Sequence, residues 1–301
     1  MLRVTSSTGG ATVDAPAKVN LTLRVVGTRP DGYHDLESVV AAVGLWDRLH
    51  FEPAEDLRLT CDDPGVPSGD DNLVVKAARL LRESCGAGHG ARISLRKGIP
   101  AGRGFGGGSS DAAACLAGLN ALWQCGRTVA ELAALGVRLG SDVPLFFGPP
   151  VAVVRGRGER VEPVAARPKW HAALAWPAFG NSTADVYAAY DRRPPSADGR
   201  PGATDILKCL GGPTRGAAPF LVNDLEPAAR SLRSGGPSVR TLLEKAGATA
   251  VGMTGSGSAY FALTDTETEA RRLVGAARAG GAEAAAAAFV GDIQQVQGGT
   301  P

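Results

Sequence analysis

The sequence predicts an α+β protein in two units, residues 1–165 and 166–301, and three observations carry that prediction. One is strand-like alternation over residues 11–27. Another is a strand, a glycine-rich loop and an apolar helix in direct succession between Ala91 and Gln124. The third is a strand, glycine turn, strand and helix between Thr249 and Arg278, beyond a change of character near residue 165. Period-2 and helical patterns therefore occur in both halves.

In the first of these, Val19, Leu21, Leu23 and Val25 alternate with Asn20, Thr22 and Arg24. Lys18, Asn20 and Thr22 fall on the face opposite the apolar set. A lysine heading a strand is ordinarily a solvated end. Thr28-Arg-Pro-Asp-Gly32 has turn chemistry, and Tyr33-His34-Asp35 follows on a loop, where a histidine commonly hydrogen-bonds the turn. Val39–Leu45 and Asp47–Phe51 suggest two further strands. Asn72 closes Asp70-Asp-Asn72 and caps a helix from Leu73 to Cys85.

The chain is organised around Lys97-Gly-Ile-Pro-Ala-Gly-Arg-Gly-Phe-Gly-Gly-Gly-Ser-Ser-Asp111. Ile93 and Leu95 before it share one face of a strand, and Ala112–Gln124 after it is apolar at helical spacing. Gly102, Gly104, Gly106, Gly107 and Gly108 can take positive φ and admit a ligand close to the backbone. Free N–H groups and the positive helix end converge there, a combination that binds phosphate. Ser109, Ser110 and Asp111 are good N-cap residues. The two hydroxyls equally suit phosphate oxygens or a metal. Gly102–Gly107 reads Gly-x-Gly-x-x-Gly, but a dinucleotide fold needs a parallel strand after the helix and an acid about 20 residues on. Here a second helix, Val129–Leu139, follows instead. A Walker A loop needs lysine after its last glycine, where Ser109 stands.

Leu139–Gly148 holds Asp142 in a loop bounded by glycine and proline, either as a turn-stabilising side chain or as a carboxylate at a site edge. Residues 151–164 suggest a hairpin around a glycine turn, and Trp170–Pro177 a strand. Ser182 starts a short helix with Asp185 in a weak capping box. Arg192–Gly202 suggests an irregular loop. Pro219–Glu226 and Pro237–Gly247 suggest helices. Composition makes Glu283–Ala288 helical, whereas Phe289–Ile293 has strand character.

Hydrophobic content of 44%, charged content of 21% and a net charge of +2 suit a soluble globular protein with no basic field for nucleic acid or membrane. The five scattered cysteines lack any Cys-x-x-Cys, which argues against a disulfide framework or zinc site and for a reducing cytoplasm. No apolar run reaches membrane-spanning length, and residues 1–10 lack the regions of a signal peptide. Neither a set of metal ligands nor an oligomeric state is legible.

Three elements now stand in order: Pro16-Ala-Lys-Val-Asn-Leu21, the Gly102–Ser110 loop, and Gly252-Met-Thr-Gly-Ser-Gly-Ser258. Together they resemble the three motifs of the galactokinase, homoserine kinase, mevalonate kinase and phosphomevalonate kinase (GHMP) superfamily. Arg29-Pro-Asp-Gly-Tyr-His34, Gly106-Gly-Gly-Ser-Ser-Asp-Ala-Ala113, Leu139-Gly-Ser-Asp-Val-Pro144 and Val222-Asn-Asp-Leu-Glu226 narrow the resemblance to the branch acting on a cytidine-linked methylerythritol. The resemblance implies a first domain like the second domain of ribosomal protein S5, a ferredoxin-like second domain, and a site in the cleft between. It also implies phosphorylation of the 2-hydroxyl of 4-(cytidine 5′-diphospho)-2-C-methyl-D-erythritol by ATP with Mg²⁺, in isoprenoid precursor biosynthesis. On that resemblance Asp142 matches the base, and Lys18 the cation that keeps it ionised. Pro100, Ala101, Gly102, Arg103, Gly104, Phe105, Gly106, Gly107, Gly108, Ser109 and Ser110 match the ATP loop, with Asn72 and Lys97 toward the adenine. Asn20, Tyr33, His34, Thr183 and Tyr187, with Asp142, match the substrate contacts. Arg103 and Phe105 depart from the small and Leu-like residues of the pattern. Another GHMP kinase would have no use for Tyr33-His34, and a non-catalytic nucleotide binder none for both Lys18 and Asp142.

Overall fold

A short strand, β1 (Arg3–Ser7), leads into β2 (Gly10–Thr28), which pairs antiparallel along its length with β3 (His34–Ala54). These belong to a computed structural model that describes residues 1–7, 9–86, 88–193, 199–232 and 238–291. The two strands expected between Val39 and Phe51 are one. The break expected at Trp46 is absent, and a bulge at Gly44–Leu45 lies beside it, because Pro16 faces Trp46 while Ala17 faces Val43. Pro16 has no N–H to give to the ladder, so the register slips there at little loss.

The described residues form two sheets. The larger adds β4 (Leu57–Cys61), β5 (Gly90–Arg96), β6 (Val151–Gly156) and β7 (Arg160–Pro163), with β3 pairing to β2, β5 and β6. Helix α1 (Leu73–Cys85) joins the parallel pair β4 and β5. Helices α2 (Gly107–Leu122) and α3 (Val129–Val137) follow. A buried cluster of Phe51, Leu81, Ile93, Leu116 and Leu119 fills the space under α2. At Gly118 a Cβ would lie 2.2 Å from the Phe51 ring, so glycine permits that close packing.

The second sheet has the order β11-β8-β10-β9, from β8 (His171–Trp176), β9 (Val251–Met253), β10 (Tyr260–Thr264) and β11 (Glu283–Ala288). Helices α4 (Thr183–Asp191), α5 (Ala203–Leu207), α6 (Thr214–Ala217), α7 (Glu226–Ser231), α8 (Val239–Lys245) and α9 (Glu267–Ala279) surround it. One hydrophobic cluster joins the sheets, with Val19, Leu21 and Val151 packed among Leu174, Phe261 and Phe289. Bridges Leu23–Asn223 and Val43–Phe289 add backbone ties.

Several local expectations are corrected. Glu283–Ala288 is a strand paired to β8 from Trp176 to His171; sheet pairing and burial override the helical bias of five alanines. Residues 221–223 run beside β2 rather than in a helix, since Leu23 N–H donates to Val222 O (2.7 Å) and Asp224 N–H to Leu23 O (2.9 Å). Helix α8 starts after its Ser238 cap. Pro237, residues 194–198 of the expected loop and residues 292–293 lie outside the described residues. Strands β1 and β4 are additions: each is five residues long, and β1 is mostly polar, whereas in β4 Leu57, Leu59 and Cys61 do alternate with Arg58 and Thr60 over a run that is short.

Candidate active site

Strand β2 brings Lys18 and Asn20 into the interior, not to a solvated end: both are buried. Lys18 Nζ donates to Asn20 Oδ1 at 2.6 Å, and Lys18 N–H donates to Phe105 O at 2.9 Å. Burial pushes the Lys18 ammonium down from the usual lysine range, and the negative charge of Asp142 acts against that. Asn20, expected to touch substrate, is a hub. Its Oδ1 also accepts from Gly255 N–H (2.9 Å) and Thr254 Oγ1 (3.3 Å), while Nδ2 donates to Ser38 Oγ (2.8 Å). Thr254 Oγ1 lies 3.1 Å from Gly104 O as well. The three motifs therefore meet at Lys18, and a Cβ on Gly106 or Gly255 would lie 3.0 Å from its Cγ or 3.3 Å from its Nζ.

In the loop, Gly102 (φ +68°), Gly104 (+91°) and Gly106 (+74°) are left-handed, whereas Gly107 and Gly108 are the first residues of α2. The helix cap is Gly106, so Ser109 and Ser110 lie in the first turn and Asp111 just beyond it, none of them at the N-cap. A Cβ on Gly107 would press on Ile99 at 3.0 Å, inside the packing rather than in the phosphate approach. Ser110 is buried and donates to Pro16 O at 2.8 Å, which directs its hydroxyl away from a ligand; Ser109 is half-buried. Phe105 is buried with its ring edge-on to Trp176 at 5.6 Å. Arg103 clamps the loop by donating to Pro177 O (3.1 Å), Ala178 O (2.5 Å) and Ala101 O (2.9 Å). Between Ile99 and Gly102, Pro100 is half-buried and Ala101 exposed.

Lys97 and Asn72, expected toward the adenine, have their side chains engaged. Asn72 Oδ1 accepts from Val74 N–H (2.8 Å) as the α1 cap, and its Nδ2 donates to Pro67 O (2.6 Å). Lys97 Nζ donates to Asp47 (2.5 Å) and Asp111 (2.8 Å), both buried. Asp47 also accepts from Gly98 and Ile99 N–H at 2.7 and 2.8 Å, tying the loop entrance to β3. Burial, reinforced by the nearby Asp47 charge, pushes the Asp111 carboxyl up to about 8, and Lys97 offsets this only in part.

Opposite the loop is a cavity of about 770 Å³ lined by Lys18, Tyr33, His34, Asp142, Thr183 and Tyr187, among others. Thr183 Oγ1 and Ser256 Oγ are 3.0 Å apart, joining α4 to the third motif. His34 starts β3, buried, with Nε2 2.7 Å from Asp191 Oδ1 and its ring stacked on Tyr187 at 4.8 Å. Burial raises the Tyr187 phenol above its ordinary range, and Asp142 adds to that. Tyr33 is exposed, with the Arg157 guanidinium 3.5 Å over its ring. Gly158 packs at the tip of the β6–β7 hairpin, where a Cβ would come within 3.4 Å of Asp142 Oδ1. Sequence reasoning missed Arg157, Asp191, Thr254 and Asn223. Asn223 holds the third motif through Nδ2 to Met253 O and Gly255 O, both 2.9 Å. Thr254 lies in the third motif and Asn223 in the Val222–Glu226 stretch, so both had a local signal without a role; Arg157 and Asp191 are polar residues whose spacing says nothing of what they touch.

Comparison with known proteins gives the family and the fold. Residues 72–148 match the GHMP kinases N terminal domain, and residues 216–283 the GHMP kinases C terminal domain. Fold and site thus define a GHMP kinase. A 4-diphosphocytidyl-2-C-methyl-D-erythritol kinase of Pelotomaculum thermopropionicum is 41% identical over 271 residues, covering 86% of this chain and 91% of that protein. One from Exiguobacterium sibiricum is 39% identical, covering 87% and 91%. A crystal structure of 4-(cytidine 5′-diphospho)-2C-methyl-D-erythritol kinase superposes with a TM-score of 0.78 at 38% identity, covering 97% of this chain and 100% of that one. Homoserine kinase from Cytophaga hutchinsonii, at a TM-score of 0.73 and 20% identity over 95% and 96% of the two chains, shares the fold. The chain belongs to the 4-diphosphocytidyl-2-C-methyl-D-erythritol kinase family.

Proposed function

We propose that this chain transfers the γ-phosphoryl group of ATP to the 2-hydroxyl of 4-(cytidine 5′-diphospho)-2-C-methyl-D-erythritol. The observation that carries the reading is a single cavity in which the glycine loop, the Lys18–Asp142 pair and the Tyr33-His34-Tyr187 cluster all face one space. The N–H groups around Gly104 and Gly106 and the start of α2 suit the phosphates. Asp142 takes the hydroxyl proton as the oxygen bonds to phosphorus and the β–γ bridge breaks to release ADP. Lys18, fixed by Asn20, holds a positive charge beside the developing negative oxygens.

The fold family implies Mg²⁺. Among the described residues no three His, Cys, Asp or Glu side chains cluster as a metal site. Of the two carboxylates that line the cavity, Asp191 is engaged by His34, which leaves Asp142. That donor set fits an ion carried in mainly by phosphate oxygens and water, with one carboxylate at most, as magnesium in kinases commonly is. When bound, it neutralises phosphate charge.

At the other end, Tyr33, His34 and Tyr187 serve the cytosine base. The two sheets part between Pro163 and His171, which supports a boundary near residue 165. All five cysteines are free thiols, and among the described residues no helix is long and apolar enough to cross a membrane. A reducing cytoplasm suits such a chain. The test is ³¹P NMR of the product. A new phosphomonoester on the 2-hydroxyl with one ADP per product is expected; transfer to another hydroxyl, or ATP hydrolysis without acceptor, contradicts the proposal.

A further inference from the structure

We propose that Asp191 is the positioning residue that makes the site prefer cytosine over uracil, by holding His34 with its hydrogen on Nε2. The inference rests on the cytidine substrate proposed above. A carboxylate oxygen only accepts, so the 2.7 Å contact between Asp191 Oδ1 and His34 Nε2 places a hydrogen on that nitrogen. In the neutral imidazole Nδ1 is then an acceptor. Nδ1 has no protein partner among the described residues, and His34 lines the cavity. Tyr187 stacks on the ring at 4.8 Å and Tyr190 meets it edge-on at 6.0 Å, which fixes the plane in which Nδ1 can accept.

The two pyrimidines differ where this acceptor reads them. Cytosine offers a 4-amino donor, whereas uracil offers an O4 acceptor. An acceptor at Nδ1 pairs with the first and meets the second lone pair to lone pair. Discrimination therefore comes from the carboxylate on α4 that selects the tautomer, one shell away from the base. With a side chain more than half exposed, at the last residue of α4, Asp191 can be replaced without opening the core.

The experiment measures kcat/KM for the cytidine substrate and its uridine analogue in wild type, His34→Ala, Asp191→Ala, Asp191→Lys and Asp191→Glu. Wild type should favour cytidine by at least about tenfold. Asp191→Ala should bring the ratio within about threefold of unity, since either tautomer is then available. Asp191→Lys presents only donors to Nε2 and should bring the ratio to one or below. Asp191→Glu should restore most of the preference. The ratio cancels any general effect of the new charge on substrate binding. Independently of the variants, ¹⁵N-histidine NMR of wild type, with His34→Ala to assign the signal, should show Nε2 protonated and Nδ1 bare near neutral pH. A ring carrying hydrogen on Nδ1, neutral or cationic, overturns the inference. So does a preference that His34→Ala removes while both Asp191→Ala and Asp191→Lys keep it; the cytosine pocket then stands and the Asp191 role falls. No preference in wild type, or none lost in His34→Ala, overturns the Asp191 role together with the pocket.

Discussion

Lys18 shows what a single residue's surroundings do to its chemistry. On the alternation of β2 it faces away from the apolar residues, which for an isolated strand means water. In the folded chain that face is covered by the glycine loop and the third motif, and Lys18 is 4% exposed. A buried ammonium is tolerated because Asn20 Oδ1 accepts from it and Asp142 supplies opposite charge. Asp142→Asn should lower turnover by about 10²–10⁴-fold, the worth of a positioned acid or base. Lys18→Met should lose a similar amount, and the double variant little more, because the two act as a unit. Near-normal turnover in Asp142→Asn would leave Asp142 as a turn residue. Gly106→Ala should raise KM for ATP strongly, since a Cβ there is strained at φ +74° and meets Lys18 Cγ, Cε and Phe146 at 3.0–3.2 Å. An unchanged KM would remove the loop from phosphate binding.

The loop is held as an element, and its rigidity lies in the buried Asp47–Lys97–Asp111 triad at its foot. With both carboxylates ionised the triad carries a net negative charge in the interior; a proton on Asp111 cancels it. The Asp111 carboxyl sits at about 8 in the folded chain against an ordinary 3.8. Between about pH 4 and pH 8 the unfolded chain therefore binds fewer protons than the folded one, and stability falls as pH rises. Asp111→Asn mimics the neutral acid and should flatten this loss. Urea unfolding from pH 5 to 8 should show wild type falling behind the variant by more than about 1 kcal/mol, whereas parallel profiles would contradict the protonated triad. Lys97→Met strands Asp47 and should cost about 3–5 kcal/mol. Thermal unfolding checks this, and a shift of under a degree would refute it. The loop itself was legible in sequence because glycine spacing and the flanking periods are local. The triad was not: Asp47, Lys97 and Asp111 come from β3, the β5 exit and α2, and no local pattern links them. Strand β11 failed for the same reason, as alanine reports helix until its partner β8 is known.

Across the whole molecule, the parts of the site legible in sequence were those with a fixed local form. The three motifs, Tyr33-His34 and the Asp142 loop all reach one cavity. What the sequence hid is how the second sheet completes it: Thr183 on Ser256, Asp191 on His34, Asn223 under Gly255. Each contact joins residues about 30 to 160 positions apart, with no periodicity to announce it. The most direct test of the account is kcat/KM from ADP release with 4-(cytidine 5′-diphospho)-2-C-methyl-D-erythritol set against homoserine, mevalonate and phosphomevalonate under identical conditions. The cytidine-bearing alcohol should exceed every other acceptor by at least about 10³-fold, because only it fills both the loop end and the aromatic end of the cavity. Comparable rates with an acceptor lacking the cytidine diphosphate would contradict the account.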